Sequence, residues 1–176
     1  AVGSVDANVY RSDLVPSTRS GGISVSAVDI DLLDTLEGTV AVGRFHDEAS
    51  SAYPTVVLGS IAAERLGIAT IADGQLVWLG DQWFAVIGIL DPLELAGSLD
   101  RSAIVGTTAA EDYLGWDGVA SSLYVRTAPE WVDGVMNVLP ATVNPENPDQ
   151  VEVSRPTDAL EARAAAESAF TALFLG

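Results

Sequence analysis

Five side chains in one short stretch, His46, Asp47, Glu48, Ser50 and Ser51, are the nearest this sequence comes to a reactive set. A histidine base, a carboxylate and a serine hydroxyl are the components of acyl-transfer catalysis. Such a base must be oriented by a group placed in space, which sequence neighbours seldom supply. His46 is the only histidine and there is no cysteine, so an imidazole-based metal site has no further nitrogen or sulfur donor. His46 therefore reads as a solvated loop residue. Asp29, Asp31 and Asp34 invite a calcium loop, but an EF-hand places oxygen ligands at alternate positions and glycine at the sixth, where this run has Leu33 and Asp34 at its fifth and sixth. These acids read instead as the start of a helix, where negative charge favours the dipole.

The glycines at 59, 67, 74, 80 and 88 form neither a G-x-G-x-x-G pattern nor a Walker loop, and the chain has no lysine to complete one. They read as turn and cap residues. Trp78, Trp83 and Phe84 are candidate groove residues, although hairpin aromatics more often pack a core. Trp116 and Trp131, beside Gly115 and Pro129, are expected to be partly exposed while still packed. No residue is assigned a catalytic, cofactor-binding or metal-binding role, and the partner-binding or substrate-binding face is unassigned.

The chain that must position these groups has 176 residues, 8 basic and 25 acidic, for a formal net charge of -17 with a mean hydropathy of +0.29. That length buries a proper core in one domain or two small lobes. Nucleic acid is excluded as a partner by the want of clustered cations, and acids spread through loops serve solubility. The first residues lack the basic and apolar regions of a signal peptide, and no run reaches the roughly 18 apolar residues of a membrane span. The pattern starts within a strand and stops on the apolar AFTALFLG, so both ends are expected to be cuts in a longer protein.

Residues 55–90 carry the clearest order of elements. A β-rich run at 56–58 meets Gly59, a helix at 60–66 stops at Gly67, and strands at 74–79 and 83–90 flank a Gly80-Asp81-Gln82 turn. Trp83, Ala85, Ile87 and Ile89 share one face of the second strand, with Phe84, Val86, Gly88 and Leu90 on the other. Both faces are apolar, which predicts a central strand. Elsewhere the reading gives a strand through Val5, Ala7 and Val9, a mobile loop at 16–22, a strand at 23–28, and a helix capped by Asp29 that ends at Gly38 in the left-handed position. It continues with strands at 101–105, 122–126 and 151–154. Capping boxes at Thr108/Glu111, Thr127/Glu130 and Asp158/Glu161 precede helices; the last carries an apolar stripe at Ala159, Ala162, Ala166, Ala169 and Leu173. A connector at 144–150 contains Pro145 and Pro148. No internal repeat of convincing period emerges.

The series VDIDLLDTLEG at 28–38 with VGRF at 42–45, VVLGSIAAERLGI at 56–68, GQLVWLGDQWFAVIGIL at 74–90 and VEVSRPTDALEARAAAESAFTALFLG at 151–176 resembles the extracytoplasmic core domain of MacB-like ABC transporter permeases, the FtsX-like permeases. The resemblance covers almost the whole chain and rests on element order. It implies an α+β fold, a mixed-sheet core lobe with packed helices and a smaller inserted lobe. The corresponding division is a core from about 1–60 and 107–176 with a hairpin-rich part at about 61–106. It also implies a non-enzymatic domain between the first and second of four transmembrane helices, on the extracytoplasmic side of the cell membrane, with its termini close together. Partners implied are a cytoplasmic ABC ATPase, a second permease copy and the membrane through the flanking helices, with no nucleic acid and no cofactor. Family members pass conformational change by mechanotransmission; some export macrolides, peptides or lipoproteins and others regulate envelope hydrolases. This chain is shorter than the best-known exporter and very acidic, which puts docking of a periplasmic adaptor in doubt. High Ala, Val and Arg without Lys suit a GC-rich bacterium. The alternatives are a secreted or surface hydrolase or metal-binding domain using His46, and a sensory domain of another membrane protein.

Overall fold

The computed structural model describes residues 1–14 and 21–155. The chain divides into two compact units, Ala1–Tyr124 and the remainder from Val125. Eight strands of the first unit form one mixed sheet: β1 (Val2–Val5), β2 (Val9–Tyr10), β3 (Ser24–Val28), β4 (Val40–Gly43), β5 (Thr55–Leu58), β6 (Leu76–Leu79), β7 (Gln82–Leu90) and β8 (Ser102–Gly106). Helices α1 (Leu32–Thr35), α2 (Ser60–Leu66) and α3 (Thr107–Leu114) join them. This is the α+β, mixed-sheet architecture expected from the sequence.

The strand order is β1-β3-β8-β5-β7-β6-β2, with β4 also on β7. Laid flat, seven strands at about 4.8 Å per gap would span about 29 Å. Yet β1 and β2 stand at the two ends of this order, and the four residue steps from Val5 to Val9 reach at most about 14 Å. The sheet must curl until its ends approach. Inside the curl lies the larger core, where Val5 and Val9 from the two end strands join Val25, Val56, Val77, Phe84 and Val105. Val28, Leu33, Leu90, Leu93 and Leu99 build a second cluster.

The pairing repeats about the junction of β5 and β8. These strands are antiparallel to each other. Each runs parallel to its other neighbour, β5 to β7 and β8 to β3, and β7 and β3 are flanked in turn by antiparallel β6 and β1. The sequence agrees, since VVLGSIAAERLG at 56–67 and AIVGTTAAEDYLG at 103–115 both read strand, glycine, helix, glycine. Gly59 and Gly106 are extended, and glycine is required there by close approach. A Cβ on Gly59 would lie 2.1 Å from the Leu99 carbonyl oxygen, and one on Gly106 would lie 2.4 Å from that of Ser51. The repeat escapes a fixed-period search because the segments before the second strand differ in length, 29–54 in one half and 91–101 in the other.

The hairpin turns on Gly80 (φ 53°) and Asp81 (φ 64°); positive φ at both central residues is the type I′ geometry that matches strand twist. Strand β7 is central as expected, bordered by β5 on one side and by β6 and β4 on the other. Its face assignment is corrected by a bulge: Val56 pairs with Val86 but Val57 with Gly88. Ile87 is the extra residue, so Ile89 joins Phe84 and Val86 in the larger core while Leu90 joins the other cluster.

Other local expectations are corrected too. The first strand breaks at 6–8, where the Ala7 N–H turns onto the Val5 carbonyl at 3.0 Å; its halves pair with β3 and β6 respectively. No cap side chain bonds at α1, α3 or the helix after Trp131, so neither Asp29 nor the Thr108 and Thr127 boxes form as read. The left-handed residue after α1 is Glu37 (φ 53°). Gly38 instead gives room to Leu33 and Leu93, whose methyls would lie 2.5 and 2.6 Å from a Cβ. Ser122 makes only an isolated bridge to Val2, and 151–154 is not a strand. Loop residues 16–20 and the expected helix from 158 lie outside the described residues. Residues 61–106 supply β6, β7 and β8 to the same sheet as β1 and β3.

The second unit contains a 3-10 turn Pro129–Trp131, helix α4 (Val132–Val143) and a 3-10 turn Pro148–Gln150. Helix α4 runs past the expected end at Leu139, with Pro140 inside it and no residue fully buried. Arg155 reaches back to it, pairing with Asp133 and donating to the Met136 sulfur at 2.9 Å.

Candidate functional site

The reactive-looking stretch begins where β4 ends. Gly43, at φ 79°, is so close to β7 that a Cβ would lie 2.2 Å from the Ile87 carbonyl oxygen. Arg44 N–H then bonds that same carbonyl at 2.9 Å. The chain leaves β7 here and turns His46 inward. His46 is 6% exposed, which corrects the solvated-loop expectation; its polar neighbours Asp47 and Glu48 are exposed while the ring is not. Nε2 lies 3.0 Å from the Ile104 carbonyl oxygen on β8, and because a carbonyl only accepts, Nε2 carries the hydrogen. Nδ1 is buried without a partner. Burial lowers the imidazole pKa, the Ile104 bond raises it, Arg44 lowers it and Asp47 raises it, with a net shift downward.

The neighbouring carboxylate and hydroxyl are occupied with each other. Asp47 Oδ1 accepts the Ser50 N–H at 2.7 Å and the Ser50 hydroxyl at 2.8 Å. The Asp47 N–H donates back to Ser50 Oγ at 2.9 Å. Arg44 Nη1 donates to Asp47 Oδ2 at 2.8 Å and to Ser50 Oγ at 3.1 Å. These bonds hold the Asp47 pKa down, the Ser50 N–H first and the Ser50 hydroxyl second. Ser51 donates its hydroxyl to the Glu48 carbonyl at 3.1 Å. Asp47 and Ser50 are thus brought together, but the acceptor nitrogen of His46, Nδ1, bonds neither of them and its Nε2–H goes to Ile104, so His46 and Ser50 form no nucleophile and base pair. The set locks a turn, and a triad-based hydrolysis finds no support in it.

A cavity of about 390 Å³ opens beside this turn, lined by Asp29, Asp31, Glu48, Ser51, Thr107 and Tyr124 among others. A second, of about 280 Å³, shares Asp29 and Thr107 and adds Glu111 and Trp116. Among the described residues no group of three or more His, Asp or Glu is arranged to hold a metal ion. Thr107 and Tyr124 escape sequence reasoning, and Glu111 is read there only as a capping partner. The available signal was Gly106, the second copy of the glycine that precedes α2.

The aromatics divide by position. Phe84 is wholly buried. Trp78 and Trp83 face each other across the hairpin with centroids 5.1 Å apart, and Trp83 is 41% exposed, so this pair is an outer-face contact and not core. Trp116 lies against Gly3, where a Cβ would be 2.2 Å from the ring, and its Nε1 is buried without a partner. Trp131, in the second unit, is exposed. No helix among the described residues is long and apolar enough to cross a membrane.

Curated proteins provide no match to the chain. The solved structures that share its fold include the following two. The periplasmic region of MacB from Actinobacillus actinomycetemcomitans aligns with a TM-score of 0.52 at 13% identity, covering 81% of this chain and 64% of that one. The extracellular domain of the noncanonic ABC-type transporter YknZ from Gram-positive bacteria aligns with a TM-score of 0.51 at 17% identity, covering 77% of this chain and 67% of that one. The chain therefore spans less than two thirds of the MacB region. The family model for the MacB-like periplasmic core domain matches residues 2–142, which is most of the sequence and all of the curled sheet, and the chain belongs to that family.

Proposed function

We propose that this chain is the extracytoplasmic domain of an ABC transporter permease, anchored through flanking transmembrane helices and coupled by them to a cytoplasmic ATPase. The family match over residues 2–142 carries this reading. The permease acts as a pair of identical copies, and the domain binds a substrate or partner outside the membrane and relays its occupancy as force. The packing supports a transmitting part: Val5 and Val9 from the two end strands meet in one buried core, and protein interiors resist deformation. The chemistry supports binding over catalysis, because the one histidine and its serine neighbours are committed to holding a turn.

The test uses the full-length gene product reconstituted with its ATPase in lipid nanodiscs. Removing residues 2–142 is expected to leave basal ATP hydrolysis and abolish its response to substrate or partner. A full-length product that stays in the soluble fraction, or a deletion that leaves the response intact, overturns the reading.

A further inference from the structure

The two halves of the repeat each carry a segment that precedes a central strand and sits on the glycine of the other half. Residues 44–53 lead into β5 and rest on Gly106; residues 91–101 lead into β8 and rest on Gly59. Their fastenings differ. The second segment is held internally by Asp100, which is buried and accepts the Leu93 N–H at 2.9 Å. The first is fastened to β8 by His46, through the bond from Nε2 to Ile104. Ile104 is opposite Ser26 on one side and Val57 on the other, and β5 pairs with β8 no further along than this. The imidazole therefore takes over where the strand ladder ends.

We propose that residues 44–53 form a proton-sensitive clasp, in which neutral His46 holds the segment on β8 and protonation of Nδ1 releases it, opening the wall that Glu48 and Ser51 contribute to the larger cavity. A proton on Nδ1 creates a charged N–H where no acceptor lies within reach, and a buried unpaired charge is relieved by moving the ring out to water. Two charged groups act on the ring, both on its own segment, while Asp29 and Asp31 face the cavity that Glu48 and Ser51 line. Arg44 opposes protonation and Asp47 favours it, while Glu48 is exposed. Strand β8 (Ser102–Gly106), strand β5 (Thr55–Leu58) and the first turn of α3 carry no ionisable side chain, and Phe45 meets the ring edge to face at 5.5 Å. Asp47 keeps its charge through this change because its bonds to Ser50 hold its pKa down. Once off β8, the turn loses the backing that keeps Ser50 from water, so the Ser50, Ser51 and Tyr53 N–H bonds to Asp47 and Ser50 open more often.

Amide hydrogen exchange on the 176-residue chain, expressed as protection factors at about pH 7.5 and about pH 5, tests this. The amides of Ser50, Ser51 and Tyr53 are expected to lose about tenfold or more of their protection at the lower pH. Those of Leu93 and Leu99, in the equivalent segment without a histidine, keep theirs. His46→Gln offers Ile104 an amide N–H that does not titrate, so the variant should stay protected at both pH values. Equal loss in both segments, the same loss in His46→Gln, or none in the wild type overturns the proposal. Should the variant fail to fold, the single imidazole signal decides by NMR: its titration midpoint must coincide with that of the protection loss, and non-coincidence overturns it.

Discussion

At the scale of single residues, the turn at 47–50 shows how a catalytic-looking set is spent on structure. Asp47 lies at the surface, yet two donors from Ser50 and one from Arg44 favour its charged form. A carboxyl whose pKa is lower folded than unfolded contributes stability that is complete above its unfolded value and is lost as pH falls through the folded value. For Asp47 the unfolded value is near 3.8, so its contribution disappears only in strong acid. His46 has the same sign in a higher window: its folded pKa is lowered from 6.5, so the unfolded chain takes up the proton first and stability declines as pH drops below that value. The windows are separable. Asp47→Asn is expected to lower the melting temperature at neutral pH and to flatten its decline below about pH 4, leaving the decline between about pH 6.5 and about pH 5 in place. Differential scanning calorimetry across this range checks it, and a variant whose whole profile matches the wild type would show that the Ser50 bonds do not depend on the charge.

At the scale of elements, the repeated strand-glycine-helix unit makes a sharper demand than any side chain in it. Gly59 and Gly106 have ordinary extended backbones, so alanine carries no φ penalty at either. The obstacle is the opposing carbonyl oxygen, 2.1 or 2.4 Å from the new methyl. A backbone atom cannot rotate aside as a side chain does, and overpacking of this kind costs about 1–3 kcal/mol. Gly59→Ala and Gly106→Ala are each expected to lower the urea midpoint accordingly without changing the slope. Gly106→Ala should in addition deprotect residues 50–53, because Ser51 is the group displaced. These units were legible where chemistry is local: Gly67 closing α2, the Gly80-Asp81 turn and the apolar β7 all follow from residue type. The bulge at Ile87 was not, because an extra residue appears only when the partner strand is known. The Thr108/Glu111 box failed for a related reason: α3 begins at Gly106, which is pressed against Ser51, and this leaves Thr108 inside the first turn. His46 was misread because its neighbours in sequence are exposed while its neighbour in space is the Ile104 carbonyl on β8.

At the scale of the whole molecule, the curl of the sheet decides what can fold alone. The link between β1 and β2 was read as one continuous strand, and the break at 6–8 that sends its halves to opposite ends of the sheet has no signal beyond Asp6 and Asn8. Every strand of that sheet lies within Ala1–Tyr124, as do both hydrophobic clusters, and the bridge from Val2 to Ser122 ties the first strand to the end of the same unit. Helix α4 contributes no fully buried residue, so the hydrophobic term that dominates folding is complete without it. Residues 1–124, expressed alone, are therefore expected to unfold in one cooperative step, with tryptophan fluorescence and far-UV circular dichroism giving coincident urea transitions. Trp78, Trp83 and Trp116 all report from this unit, which makes the comparison sensitive to partial opening. Separate transitions would mean that the curl is not a single cooperative body and would remove the physical basis for reading it as a part that transmits force.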